Sequence, residues 1–250
     1  MTRRFYSDHG AADAGGRIEI GGALAHRLSK VLRMRSGEEI ILFDGATGDL
    51  RLRIDEINDR RLTATVLERI ESPPEARVKV NLYQSITKGD RFEWLLEKAT
   101  EIGVTRFAPL LTARSVVKPE AGANRAERWR RIVVEAAEQS GRGAVPDIEA
   151  PQGFADALAS APGVLLLPYE AADERTPSVQ AALDAEVDAL FALAEVSIFI
   201  GPEGGYEDAE VQAARDAGAT IVTMGRRVLR SETAGLIAAT LVMQAAGELG

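Results

Sequence analysis

Between residues 38 and 70 the chain alternates apolar and polar positions in short runs broken by turn residues: EEIILFDG, ATGD, LRLRIDEI, NDR and RLTATVLERI. Successive side chains of a strand point to opposite faces, so this pattern predicts three short antiparallel strands. The middle run is the clearest, with Leu50, Leu52 and Ile54 on one face and Arg51, Arg53 and Asp55 on the other. Ahead of it HRLSKVLR, residues 26–33, sets Leu28, Val31 and Leu32 at helical spacing. Residues 1–72 thus read as a small β-barrel or curled sheet with one helix. ESPPEAR at 71–77, with two adjacent prolines and no apolar period, reads as a linker, so the boundary falls after residue 72.

From 73 to 250 the rhythm becomes strand, helix, strand. VKVNLYQSI and VTRFAPLLT flank a helix, KGDRFEWLLEKATEIG, in which Phe92, Leu95, Leu96, Ala99 and Ile102 share a face and Gly103 suits the C-cap. A long helix over 125–140 follows, then strands GVLLLPY (163–169) and VSIFI (196–200), a helix EDAEVQAARDAG, a strand TIVTM (220–224), and a last helix after Ser231 capped by Ser231 or Thr233. Buried strands alternating with helices imply an α/β fold, a parallel sheet covered on both faces. Ala234 to Ala246 is apolar nearly all round and must be fully covered, within one subunit or by a second.

Ligands of open α/β sheets bind beyond the carboxyl ends of the strands. Two loops there are unusual: GPEGGY (201–206), whose glycines let the backbone approach a ligand closely, and GRRVLRSETAG (225–235). Neither is a phosphate cradle, and the chain has no GxGxxG after the first strand of the α/β part, no GxxxxGK[ST] and no GxSxG. Support for dehydrogenation, nucleotide hydrolysis and serine hydrolysis falls away.

Composition narrows the rest. With 250 residues, 46% apolar and 27% charged, the chain can bury a full core, and its length suits a small domain joined to a larger one. No cysteine and only two histidines, His9 and His26, leave no metal centre and no thiol nucleophile; His26 reads as structural. No apolar stretch approaches a membrane span, and MTRRFYSDHG carries no apolar signal region, so a cytoplasmic protein is expected. The net charge of −8 argues against nucleic acid until it is located: residues 151–200 hold eight acids against one base. The remainder is near neutral, with arginines clustered at 3/4, 33/35, 51/53, 60/61, 128/130/131 and 226/227/230. Repulsion would turn the acidic stretch away from RNA.

GPEGG followed by MGRRVLRSETA resembles the two C-terminal signature loops of the SPOUT methyltransferases, and in detail the RsmE family, which methylates N3 of a uridine in small-subunit (16S) ribosomal RNA. Further residues stand in the family's order: Arg4-Phe5-Tyr6, His26 with Val31-Leu32-Arg33-Met34, Leu42-Phe43-Asp44-Gly45, Glu97 to Gly103, and Glu135 to Ser140 with Arg142. The resemblance implies a PUA-like RNA-binding β-barrel over 1–72 and a SPOUT domain over 73–250 with a C-terminal trefoil knot. It also implies a homodimer that binds S-adenosylmethionine (SAM) and acts on 16S rRNA within the assembled small ribosomal subunit, with no metal and no membrane.

On that resemblance, Ile200, Gly201, Glu203, Gly205, Met224, Gly225, Val228, Leu229 and Thr233 are expected at the cofactor, with Leu167 as the third-loop position or a buried strand leucine. Methyl transfer to N3 requires loss of the imide proton, which a cation beside the base favours. Arg230 is the candidate, against a phosphate contact or an ion pair with Glu203 or Glu232; Glu232 is the carboxylate that could serve as base. Arg4, Arg33 and Tyr6 are expected to position RNA.

Overall fold

In the computed structural model, the described residues are 2–7, 16–116, 123–171, 173, 175–185 and 195–249. His9, Glu174, Glu186 and Asp188 lie outside them. The chain divides into two compact units, Met1–Glu75 with Ala137–Val145, and Ala76–Ala136 with Pro146–Gly250.

The first unit is built on five strands: β1 (Arg3–Tyr6), β2 (Arg17–Gly21), β3 (Glu39–Phe43), β4 (Asp49–Ile57) and β5 (Arg61–Ile70), in the order β1-β3-β4-β5-β2. The three strands anticipated from the alternation are present and pair antiparallel with one another, β3 with β4 and β4 with β5. Pattern alone gave no sign of β1, which pairs parallel with β3, nor of β2 on the far side of β5. Leu52 and Ile54 are buried with Ile20, Ile40 and Leu62. The 26–33 helix is displaced: α1 covers Gly22–His26, and Arg27–Val31 forms a π-helical turn. That wider turn adds a residue, so Leu28 is buried while Val31, expected on the same face, is 66% exposed. His26, read as structural, is exposed on the last turn of α1. The turn leads to Arg33, whose φ of 53° is left-handed for a side chain with a Cβ.

The returning segment 137–145 is held by charge-assisted bonds. Glu138 accepts the Tyr6 backbone N–H at 3.0 Å and pairs with Arg27 at 2.8 Å. Arg142 donates to Glu75, which also accepts the Ala144 N–H at 3.0 Å, and Arg4 donates to the Arg142 carbonyl. Ser72, in the stretch read as linker, donates to Asp49 at 2.6 Å, so this stretch is pinned rather than free.

The second unit carries a wholly parallel sheet in the order β12-β10-β11-β6-β7-β8, with β9 also on β7. Its strands are β6 (Lys79–Ser85), β7 (Arg106–Leu111), β8 (Asp147–Ile148), β9 (Gln152–Gly153), β10 (Val164–Pro168), β11 (Glu195–Ile200) and β12 (Thr220–Val222). The helices are α2 (Arg91–Ile102), α3 (Ala123–Ser140), α4 (Phe154–Ser160), α5 (Val179–Ala185), α6 (Asp208–Asp216) and α7 (Ser231–Ala245). Parallel pairing needs crossovers, which these helices supply. The predicted face of α2 is buried at Phe92, Leu95, Leu96 and Ala99, and Gly103 closes the helix at φ 114°. Phe92 meets Trp129 of α3 at 4.7 Å between ring centroids, and Tyr83 stacks on Phe199 at 4.5 Å within the sheet core.

Helix α7 packs on α2, α5, β6 and β11. Its N-cap is Arg230, without a side-chain cap, rather than Ser231 or Thr233. Ser231 is diverted to another bond, described below. Ala238, Ala239, Val242 and Met243 are buried, but Ile237 is 39% exposed, so the covering expected of this helix is incomplete within one chain. No helix among the described residues is long and apolar enough to cross a membrane.

Candidate functional site: a cleft at the carboxyl ends of three parallel strands

Since β12, β10 and β11 are parallel neighbours, the loops that follow them emerge side by side. They enclose a cleft of about 440 Å³. Of the residues expected at a cofactor, Ile200, Gly201, Glu203, Gly205, Met224, Gly225, Val228 and Leu229 line it, as does Arg230. Leu167, Thr233 and Glu232 do not: Leu167 is fully buried in the core cluster, and its neighbour Pro168 reaches the cleft instead. Sequence reasoning passed over Tyr169 and Glu170, which form the third wall. The two signature loops follow strands that are not adjacent, for β10 lies between them, and the strand-end rule applied to GVLLLPY would have found this wall. Glu170 comes from the acidic stretch expected to face away, yet it stands in the cleft.

The 201–206 loop is shaped by contacts only glycine permits. Gly205 has φ +68°, and a Cβ there would lie 2.0 Å from Glu170 Oε1. Behind the loop, Tyr206 is buried against Phe154, ring centroids 5.2 Å apart. Burial, with the charges of Glu210 and Glu170 adding, pushes its phenol well above the usual value. Its hydroxyl has no partner among the described residues. From outside, Arg114 donates to the Gly204 carbonyl at 3.1 Å, and Glu207 and Glu210 form a capping box on α6.

The two signature loops are tied to each other at the start of α7. Ser231 Oγ donates to the Gly201 carbonyl at 2.5 Å and accepts from Gln84 Nε2 at 2.8 Å, so one hydroxyl joins β6, β11 and α7. Arg91, which sequence reasoning did not single out, stands 3.6 Å from Glu203 and 3.8 Å from Glu232. Glu232 is 7% exposed and faces Arg91 rather than the cleft. The guanidinium of Arg230 forms no ion pair with either acid among the described residues and lies open at the cleft wall. No metal-binding group of His, Asp or Glu occurs among the described residues.

The RNA candidates lie in the first unit. Arg4 is committed internally: its Nε and Nη2 donate to Asp49 at 2.7 and 3.0 Å, its side chain is 10% exposed, and the guanidinium covers Phe43 at 4.0 Å. Tyr6 is half-buried, edge-on to Phe43. Arg33 is exposed.

A parallel sheet whose strand ends carry glycine-rich loops at a single cleft, with an arginine at its wall, is an α/β domain built to bind a small molecule, and the comparisons supply the class. Residues 74–243 match the family model of the RNA methyltransferase domain, and 25–67 match that of the RNA methyltransferase PUA domain. The ribosomal RNA small subunit methyltransferase E of Synechocystis sp. is 34% identical over 88% of this chain and 71% of its own length. That of Bacillus subtilis is 31% identical over 90% and 89%. A Neisseria gonorrhoeae ribosomal RNA small subunit methyltransferase E, crystallised bound to S-adenosyl methionine, superposes with TM-score 0.84 at 32% identity, covering 98% of both chains. A Legionella pneumophila methyltransferase in complex with the cofactor SAM gives TM-score 0.85 at 29% identity, again covering 98% of both. The chain belongs to the ribosomal RNA small subunit methyltransferase E family of RNA methyltransferases.

Proposed function

We propose that this protein is a SAM-dependent methyltransferase that forms 3-methyluridine in 16S rRNA. The observation that carries the reading is the convergence of both glycine-rich loops and Arg230 on one cleft. The cleft fits the cofactor on its own chemistry. Its volume is in the range of small-molecule sites, Gly205 takes a left-handed φ of +68° that strains any side chain with a Cβ, and backbone from Ile200, Gly201, Met224, Gly225 and Leu229 offers donors and acceptors in a partly apolar slot. Glu203 and Glu170 suit the cofactor's cationic groups. Leu167 supports the slot from beneath, and Thr233 from the first turn of α7.

When bound, SAM supplies an electrophilic methyl group on a sulfonium. The protein's part is to present a nucleophile to it. Arg230, without an acid partner among the described residues, stabilises from the cleft wall the uridine anion left when the N3 proton departs. The proton leaves to solvent at the cleft mouth. Glu232, turned toward Arg91, acts as a positioning residue for the loop ahead of α7. Arg33, fixed in a left-handed conformation on an exposed turn, contacts RNA, as does Tyr6, while Arg4 holds β1 in place.

The same reading extends to architecture and assembly. The first unit is a PUA-like domain whose five-stranded sheet curls into a barrel. The return of α7 beneath β6 and β11 after the edge strand β12 supports a trefoil knot. Ile237 and Trp94, 39% and 42% exposed on the packed pair α7 and α2, support a homodimer. Ribosomal substrate places the reaction in the cytoplasm. The test is transfer of labelled methyl from SAM to small ribosomal subunits lacking the modification, with nucleoside identification. Labelled 3-methyluridine is the expected product; label in another nucleoside would overturn the N3 assignment, and no label would overturn the substrate.

A further inference from the structure

The loop between β12 and α7 has two sides. Met224 and Leu229 are part-buried, whereas Arg226, Arg227, Val228 and Arg230 are exposed, and all six line the cleft. Elsewhere many arginines of this chain are spent on acids: Arg51 on Glu39 and Glu68, Arg106 on Glu149, Arg128 on Glu93, Arg142 on Glu75. The side chains of Arg226, Arg227 and Arg230 have no such partner among the described residues. The cleft's own acids, Glu170 and Glu203, belong to the other two loops, and Glu203 faces Arg91. Between Arg227 and Arg230 stands Val228, 79% exposed, the most exposed of the large hydrophobic side chains described.

Three guanidiniums with no acid partner among the described residues stand around an apolar tip on one loop of a chain of net charge −8, a local positive field that suits a polyanion. Guanidiniums fork onto phosphate oxygens, and an apolar tip offers a face to a base that has left its stack. Enzymes acting on an atom of a base must present that base unpaired and unstacked. We propose that Arg226 and Arg227 seat consecutive phosphates of an unpaired RNA strand beside the target nucleotide, and that Val228 covers a face of an unstacked base. The loop's inner side, Met224 and Leu229, is left to the cofactor. This rests on the methyltransferase reading above and adds to it the RNA subsite on the catalytic unit itself.

The test compares the full-length protein with the double variant Arg226→Gln/Arg227→Gln and with Val228→Ser, titrating an unmodified 16S rRNA transcript across a salt series and SAM by calorimetry. The double variant should bind SAM as the parent does. Its RNA affinity should fall at least about 10-fold at low salt, and its slope of log K against log salt should drop by about 1.4, at roughly 0.7 per single-strand phosphate. Val228→Ser should weaken RNA binding several-fold with the slope unchanged. An unchanged slope and affinity in the double variant, with the parent binding RNA normally, would overturn the subsite and leave the enzyme reading standing. Loss of SAM binding in the folded double variant would reassign these arginines to the cofactor and overturn it as well. A parent protein that binds neither RNA nor SAM would overturn both readings.

Discussion

Arginine clusters look alike in the sequence, and two regions of the molecule put them to opposite use. At the start of the first unit Arg4 is closed over Asp49 and Phe43, and Arg142 over Glu75, so guanidiniums there stitch a short strand and a returning segment to one sheet. On the loop between β12 and α7 three guanidiniums stand at a cleft wall with no acid partner among the described residues. Position in a charge cluster therefore says little about role; what decides it is whether a carboxylate lies within reach. A buried pair holds structure because removing one partner strands the other, while an open cation retains its field for a ligand.

The largest effect expected from this contrast is on stability. Asp49→Ala leaves Arg4 buried without its acid and should cost about 3–5 kcal/mol in chemical denaturation, with SAM affinity unchanged. Arg51→Ala, which removes an exposed pair on the same sheet, should leave the unfolding midpoint where it was. An Asp49→Ala protein as stable as the parent would erase the distinction. Next comes catalysis: Arg230→Ala should lower turnover at saturating SAM by about 100- to 1000-fold, at little cost in SAM affinity or melting temperature. Turnover within a few-fold of the parent would remove Arg230 from the chemistry.

The smallest effect concerns Tyr206. Its hydroxyl is buried without a partner among the described residues, so Tyr206→Phe should be neutral or slightly stabilising at neutral pH. The sign with pH follows from burial. The folded phenol keeps its proton above the pH where the unfolded one loses it, so stability is intact below about pH 10 and falls as pH rises beyond. Tyr206→Phe should lose part of that alkaline fall in a denaturation series; an identical pH profile would place the phenol in contact with water.

Periodicity revealed most elements whose own residues carry the pattern: three antiparallel strands, α2 with its glycine cap, and the strands and helices around both signature loops. It missed what depends on distant partners. Arg3–Tyr6 is a strand because β3 pairs with it, and residues 137–145 join the first unit through Glu138 and Arg142, neither of which leaves a local signature. Val31 was misplaced because a π-helical turn changes the period within HRLSKVLR. At the cleft, eight of ten expected cofactor positions line it. Those eight sit on glycine-rich strand ends, where composition and topology agree. Leu167 and Thr233 were carried by resemblance alone, and Glu170 lay in a stretch judged only by its charge.

The account stands or falls on the 201–206 loop as the cofactor's seat. Calorimetric titration of SAM into the parent and into Gly205→Val, with circular dichroism and melting on the same samples, addresses it directly. A Cβ at Gly205 meets Glu170 Oε1 at 2.0 Å in a backbone conformation that valine resists. The expected result is stoichiometric SAM binding by the parent and none by a folded Gly205→Val protein. Equal affinity in the two would contradict the placement of the cofactor in this cleft.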